Sequence, residues 1–136
     1  MGASEPVLVA PATPVGHAAL AVLRFTGPDL LTRLEGLVRP RSGGLRPGRA
    51  RRVDVFDGAL RLDDGVALFQ RGPRSYTGLD TLELTLHGNP LVVDRVLRCA
   101  LDRGCRLAEP GAFTRLALQA GKLDLVQAEE IGRAHV

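Results

Sequence analysis

The chain is predicted to be an α+β domain in which helices flank a mixed β-sheet. Segments with apolar residues at helical spacing alternate with short strand-like runs. Several of those runs are joined by links short enough for hairpins, with Asp-Gly pairs at 57–58 and 64–65 marking turns. Hairpin links favour this class over a doubly wound parallel sheet. The length of 136 residues is that of one domain, with enough chain to bury a core.

The elements follow in order. Val7 to Ala10 is a short strand closed by "PATP". Ala19 to Phe25, "ALAVLRF", is nearly all apolar and is predicted to be a strand buried on both faces, with Arg24 as the one charge it must accommodate. "TGPDLLTRLEGLV" is predicted as a helix with Pro28 in its first turn and Leu30, Leu31, Leu34, Leu37 and Val38 on one face. Residues 39–50, rich in Pro, Gly and Arg, read as a loop. "RRVDVF" and "GVALFQ" are strand-like. Thr81 to Leu86 is a strand with Leu82, Leu84 and Leu86 on one face, so that Thr81, Glu83 and Thr85 share the other. Asn89 caps a helix with Pro90 at its first position. That helix runs to about Arg103 and buries Val92, Val93, Val96, Leu97, Ala100 and Leu101, and Gly104 stops it. "CRLA" is a last short strand, "PGAFTRLALQAG" a short helix ended by Gly121, and "LDLVQAEE" the start of another.

Composition removes several function classes. No apolar run is long enough to span a bilayer, and the N-terminus has no basic region of the kind a signal peptide needs. Cys99 and Cys105 make neither a disulfide framework nor a metal site, so a reducing, cytoplasmic setting is expected. Aromatics are 4% of the chain, which argues against recognition by stacked aromatic platforms. The net charge of +3 permits nucleic-acid contact without requiring it. Lys122 is the sole lysine among 18 basic residues. It is either a chance survivor of an arginine-biased composition or a position where a compact ammonium is preferred.

Catalytic signatures are missing. The Gly-Lys at 121–122 lacks the earlier glycine and the Ser/Thr of a phosphate-binding loop, and no nucleophile elbow, zinc-type histidine pair or triad is present. Glu83 on its strand is either a salt-bridge partner or a carboxylate that accepts two parallel N–H bonds from a planar donor edge, such as a guanidinium or a pterin's amino-pyrimidine ring. His87, just before a helix, is more readily a capping or packing residue than an acid or base. Arg39, Arg41, Arg46, Arg49, Arg51 and Arg52 either touch phosphates or form a solvated loop.

Four ordered segments, "VAPATPVGHAALAVLRFTGPD", "PRSYTGLDTLELTLHGNPLVVDRVL", "AEPGAFTRLAL" and "GKLDLVQAE", resemble the N-terminal domain of the tRNA-modification GTPase family MnmE (TrmE), from about Val7 to Glu129. The resemblance implies a fold similar to the folate-binding aminomethyltransferase and a homodimer. It implies as cofactor a tetrahydrofolate derivative (5-formyl- or methylene-tetrahydrofolate). It also implies a place in modifying C5 of the wobble uridine of tRNA, with the flavoprotein MnmG as partner. Carried over residue by residue, the family's folate contacts fall on Arg24, Glu83 and Lys122. Glu83 would bind the pterin edge, and Arg24 and Lys122 the carbonyl and carboxylate oxygens. No catalytic residue and no metal ligand is carried over.

The implied organisation is a folate-binding and dimerisation domain at 1–121, the start of a helical domain at 122–130, and a non-native tail at 131–136. The tail, "IGRAHV", resembles one frame of a sequencing adapter. The GTPase domain, with its GTP, potassium and magnesium, is not in this chain, which alone is expected to be inactive. Where the family has glycines, this chain has "PVGHAA" at 14–19 and "LHGNP" at 86–90, and Leu79 stands in place of an acid. A loop needing positive φ would not readily accept Leu86 or Asn89. These departures leave an alternative open, a structural dimerisation or tRNA-docking module whose folate site has decayed. A stand-alone folate protein of the aminomethyltransferase type would need folate-contacting regions for which the chain has no room.

Overall fold

A computed structural model of the chain describes residues 6–13 and 19–122. The altered loop at 14–18, the helix expected from Leu123 and the tail at 131–136 lie outside the described residues. Seven strands form one sheet: β1 Leu8–Pro11, β2 Leu20–Thr26, β3 Val38–Pro40, β4 Ala50–Asp57, β5 Leu60–Gln70, β6 Thr81–His87 and β7 Arg106–Leu107. Three helices accompany them: α1 Leu30–Arg33, α2 Pro90–Asp102 and α3 Ala112–Gln119. The strand order is β3-β4-β5-β6-β2-β1-β7. All neighbours are antiparallel except β1 and β7, so the sheet is mixed and the class is α+β. Among the described residues no helix is long and apolar enough to cross a membrane.

One face of the sheet carries the core. Leu23 and Phe25 of β2, Val53 and Val55 of β4, Ala67 and Phe69 of β5, and Leu82 and Leu84 of β6 are all fully buried. They form one cluster with Leu30 and Leu34 at α1 and with Val96 and Ala100 of α2. The alternation in β6 is as expected, because a strand with one face on a core repeats every second residue. The start of α2 also agrees: Asn89 adopts an extended backbone and its Oδ1 accepts from Leu91 N–H at 2.9 Å, with Pro90 in the first turn.

Three expectations are corrected. β2 is not buried on both faces: Ala21, Leu23 and Phe25 point into the core, whereas Leu20 and Arg24 are exposed and Val22 half-buried. Its apolar run reflects an apolar outer face rather than a second covered one. The segment 26–38 is not one helix. α1 lasts four residues, Asp29 precedes it without a side-chain cap, and Gly36 takes φ 84°, which ends any continuation. Leu30, Leu34, Leu37 and Val38 are nonetheless buried, because the turns that follow α1 fold the same side chains back before β3. Finally, the Asp-Gly pair at 64–65 is no turn but the middle of β5. A Cβ on Gly65 would collide with the Thr85 carbonyl oxygen, so the glycine marks a close approach of β5 to β6.

Candidate functional site

The outer face of the sheet brings two of the three predicted residues, Arg24 and Glu83, together. β2 and β6 pair in a register that sets Arg24 directly opposite Glu83. The row continues to Leu68 on β5 and Ala10 on β1. Arg24 Nε donates to Glu83 Oε1 at 2.9 Å, and both side chains remain substantially exposed, at 53% and 42%. Only this one nitrogen and one oxygen meet within hydrogen-bond distance, so the contact is single-toothed rather than a fork. The guanidinium's terminal nitrogens and Glu83 Oε2 keep their capacity for a further ligand. Leu20, Val22 and Val66 frame the pair with partly exposed apolar surface.

Lys122 is not joined to this pair. It is exposed and follows α3, where its backbone N–H donates to the Ala117 carbonyl at 2.9 Å. Ala120, two residues before it, lies against Gly78 in the loop that precedes β6. No ion pair connects Lys122 to another described residue.

The loop "SYTGLD" holds the end of the row in place. Thr77 Oγ1 and Thr26 Oγ1 are 2.7 Å apart, and both threonines are buried. Thr26 also reaches the Asp80 carbonyl at 3.0 Å, Leu79 N–H donates to Thr77 Oγ1 at 3.2 Å, and Ser75 Oγ donates to the Leu79 carbonyl. The Asp80 side chain accepts from Gly72 N–H at 3.0 Å. These buried hydroxyls satisfy the Leu79 N–H and the Leu79 and Asp80 carbonyls where the loop packs on β2, and backbone groups withdrawn from water need such partners. The sequence reading passed over Ser75, Thr77 and Thr26; their signal was hydroxyl residues clustered at a turn.

His87 also has a structural partner. Asp63, deep in β5, accepts from His87 N–H at 3.0 Å and lies 2.7 Å from its Nδ1. The hydrogen bond to Asp63 and its negative charge raise the imidazole above the ordinary histidine range. Asp63, Asp64 and His87 form a group with metal-type ligand atoms within 4.8 Å of one another. Asp64 is engaged by Arg41 and Arg61, each at 3.5 Å, and Asp54 beside it by both arginines at 3.0–3.1 Å. The hydrogen bond from Arg41 holds Asp54 below the usual carboxylate range. Cations of the protein thus already balance these carboxylates.

The expected strain at 86–90 is absent. Leu86 is a buried β6 residue, and Asn89 has φ −83°, so neither position needs the left-handed backbone that only glycine tolerates well.

The family profile described as "GTP-binding protein TrmE N-terminus" matches residues 7–122. The chain is 46% identical over 127 residues to the tRNA modification GTPase MnmE of Roseiflexus castenholzii, covering 92% of this chain and 27% of that protein. It is 45% identical over 130 residues to the protein of the same name from Chlorobaculum tepidum, covering 92% and 28%. For the Aquifex aeolicus protein of that name the identity is 41% over 128 residues, covering 93% and 28%. The chain thus spans under a third of the length of these relatives.

Proposed function

The chain belongs to the TrmE N-terminal family, and from that premise we propose that it binds a tetrahydrofolate one-carbon donor and dimerises, serving C5 modification of the wobble uridine in tRNA within a longer cytoplasmic protein. The architecture is proposed to be that of the folate-binding aminomethyltransferase. GTP hydrolysis, the flavoprotein partner MnmG and tRNA itself are proposed for the whole protein, of which the relatives named tRNA modification GTPase are about three and a half times as long as the matched part.

The observation that carries the folate reading is the Arg24–Glu83 pair on the outer face. Its donor set fits the cofactor. A pterin's amino-pyrimidine edge offers parallel N–H donors, and a half-exposed carboxylate with one oxygen uncommitted accepts them. Arg24, held by its Nε, presents its terminal nitrogens to a carbonyl or carboxylate oxygen. Leu20, Val22, Val66 and Leu68 offer apolar surface to the flat ring. Lys122, exposed after α3, would share with Arg24 the charge offered to the cofactor's carbonyl and carboxylate oxygens. When bound, the reduced folate supplies the one-carbon unit; the chain's own residues bind and orient it.

The same pair favours a second reading. A carboxylate already bonded across strands to an arginine serves as a sheet cross-link, as it would in a structural dimerisation or tRNA-docking module with a decayed site. Calorimetric titration of the chain with 5-formyltetrahydrofolate separates the two. Saturable one-to-one binding is expected; no heat above dilution would leave the structural module. Sedimentation at micromolar concentration is expected to show a dimer, and a strict monomer would refute that part of the reading.

A further inference from the structure

Two segments far apart in sequence are rich in arginine and free of acid. Residues 39–53 carry Arg39, Arg41, Arg46, Arg49, Arg51 and Arg52 without an Asp or Glu, and residues 65–79 carry Arg71 and Arg74, again without one. The fold sets them side by side. Pro47 bridges to Phe69, and Gly48 N–H donates to the Phe69 carbonyl at 2.8 Å. Between them lies a cleft of about 400 Å³, walled by Pro47 and Gly48 on one side and by Gln70 to Arg74 on the other.

Arg51 is half-buried, its Nε without a hydrogen-bond partner among the described residues, and the other seven arginines divide into two groups. Arg39 is spent on the Gly36 and Gly58 carbonyls, and Arg41 and Arg52 turn to Asp54 and Asp64. Arg46, Arg49, Arg71 and Arg74 are exposed at or beside the cleft, and no described acidic side chain pairs with them. Arg71 is held with its guanidinium 5.6 Å from the Phe69 ring centroid. Keeping like charges together without counter-charges costs folding free energy, so such a group fits a polyanionic partner.

We propose that this cleft is a docking surface for the sugar–phosphate backbone of a folded RNA. Guanidinium forks suit phosphate oxygens, and four of them spread over two rims match a ladder of phosphates better than one small anion. Tyr76, 45% exposed, is the only tyrosine in the chain, so the surface contacts backbone rather than stacking on bases. A protein partner would call for a central apolar or aromatic anchor, and none of the residues walling the cleft supplies one. The proposal rests on the tRNA-modification reading and adds where the RNA is met; the cleft begins at Gln70, the last residue of β5 and two residues beyond Leu68 of the Arg24–Glu83 row.

The test is fluorescence anisotropy of a labelled RNA hairpin with the full chain. Four phosphate contacts predict a fall in affinity of about 50- to 150-fold between roughly 50 and 200 mM salt. Arg71→Ala/Arg74→Ala is expected to weaken binding and lower the logarithmic salt slope by about two. Arg46→Ala/Arg49→Ala, on the opposite rim, is expected to do the same, which guards against a folding defect in either variant. Arg95→Ala/Arg98→Ala, whose α2 arginines pair with Asp57 of β4 and with Asp94, is expected to bind as wild type. No binding by wild type, binding as tight as wild type by either rim variant, or equal displacement by polyglutamate or inorganic phosphate would overturn the proposal. Titration of the same variants with 5-formyltetrahydrofolate keeps the readings apart. Loss of RNA with folate retained assigns the cleft, and RNA binding without folate binding overturns only the folate site.

Discussion

Replacing Glu83 with Gln keeps the side chain's shape, removes its charge and turns one acceptor into a donor. In the free protein the loss is small. The pair with Arg24 is a single hydrogen bond between side chains 53% and 42% exposed. Exposed cross-strand ion pairs contribute only about 0.2–1 kcal/mol. The variant's urea midpoint is therefore expected to stay close to that of wild type. The same magnitude shows that Arg24 is no barrier to a ligand: loosening it costs at most about 1 kcal/mol. In the complex the effect is large. Of the two charge-assisted bonds to the pterin edge, one is reduced to a neutral bond and the other is lost, with an NH2 facing a donor. The expected penalty is about 2–4 kcal/mol, roughly 30- to 1,000-fold in affinity for 5-formyltetrahydrofolate by calorimetry. Arg74→Ala, away from this row, is the control and is expected to bind folate as wild type does. If Glu83→Gln binds as tightly as wild type, the carboxylate does not hold the pterin and the reasoning fails.

Other substitutions probe the scaffold. Gly65→Ala places a methyl against the Thr85 carbonyl, a backbone group that cannot swing aside, and is expected to destabilise the fold by about 1–3 kcal/mol in urea unfolding. Asn89→Ala removes the acceptor for Leu91 N–H and is expected to cost about 0.5–2 kcal/mol, read the same way. His87 is expected to titrate above the ordinary histidine value of 6.5 in an NMR pH series. Its folded pKa is raised, so the stability from its pair with Asp63 is full below the unfolded value and is lost as pH rises through the folded one. Asp63→Asn is expected to return the midpoint toward 6.5, and an unchanged midpoint would show that another group raises it.

Periodicity read from the sequence alone determined β6, α2 with its Asn89-Pro90 start, the short β7 and α3. Those features are local, a repeat of two or of about 3.6 residues with a cap or a glycine at the end. Periodicity misread 26–38 as a helix because Leu30, Leu34 and Leu37 are buried by turns that happen to share helical spacing. It misread Gly65 as a turn because a glycine required by a neighbouring strand looks, in one dimension, like a glycine required by its own backbone. Individual candidate residues stood out too, Glu83 among leucines and Lys122 as the sole lysine, by residue type. Pairing was not legible. That Arg24 faces Glu83 across 59 residues, that Asp63 takes both the N–H and the ring of His87, and that two arginine-bearing loops close on one cleft are all set by strand register. Register depends on which buried face each strand must share with its neighbours, a condition satisfied only when the whole sheet is assembled.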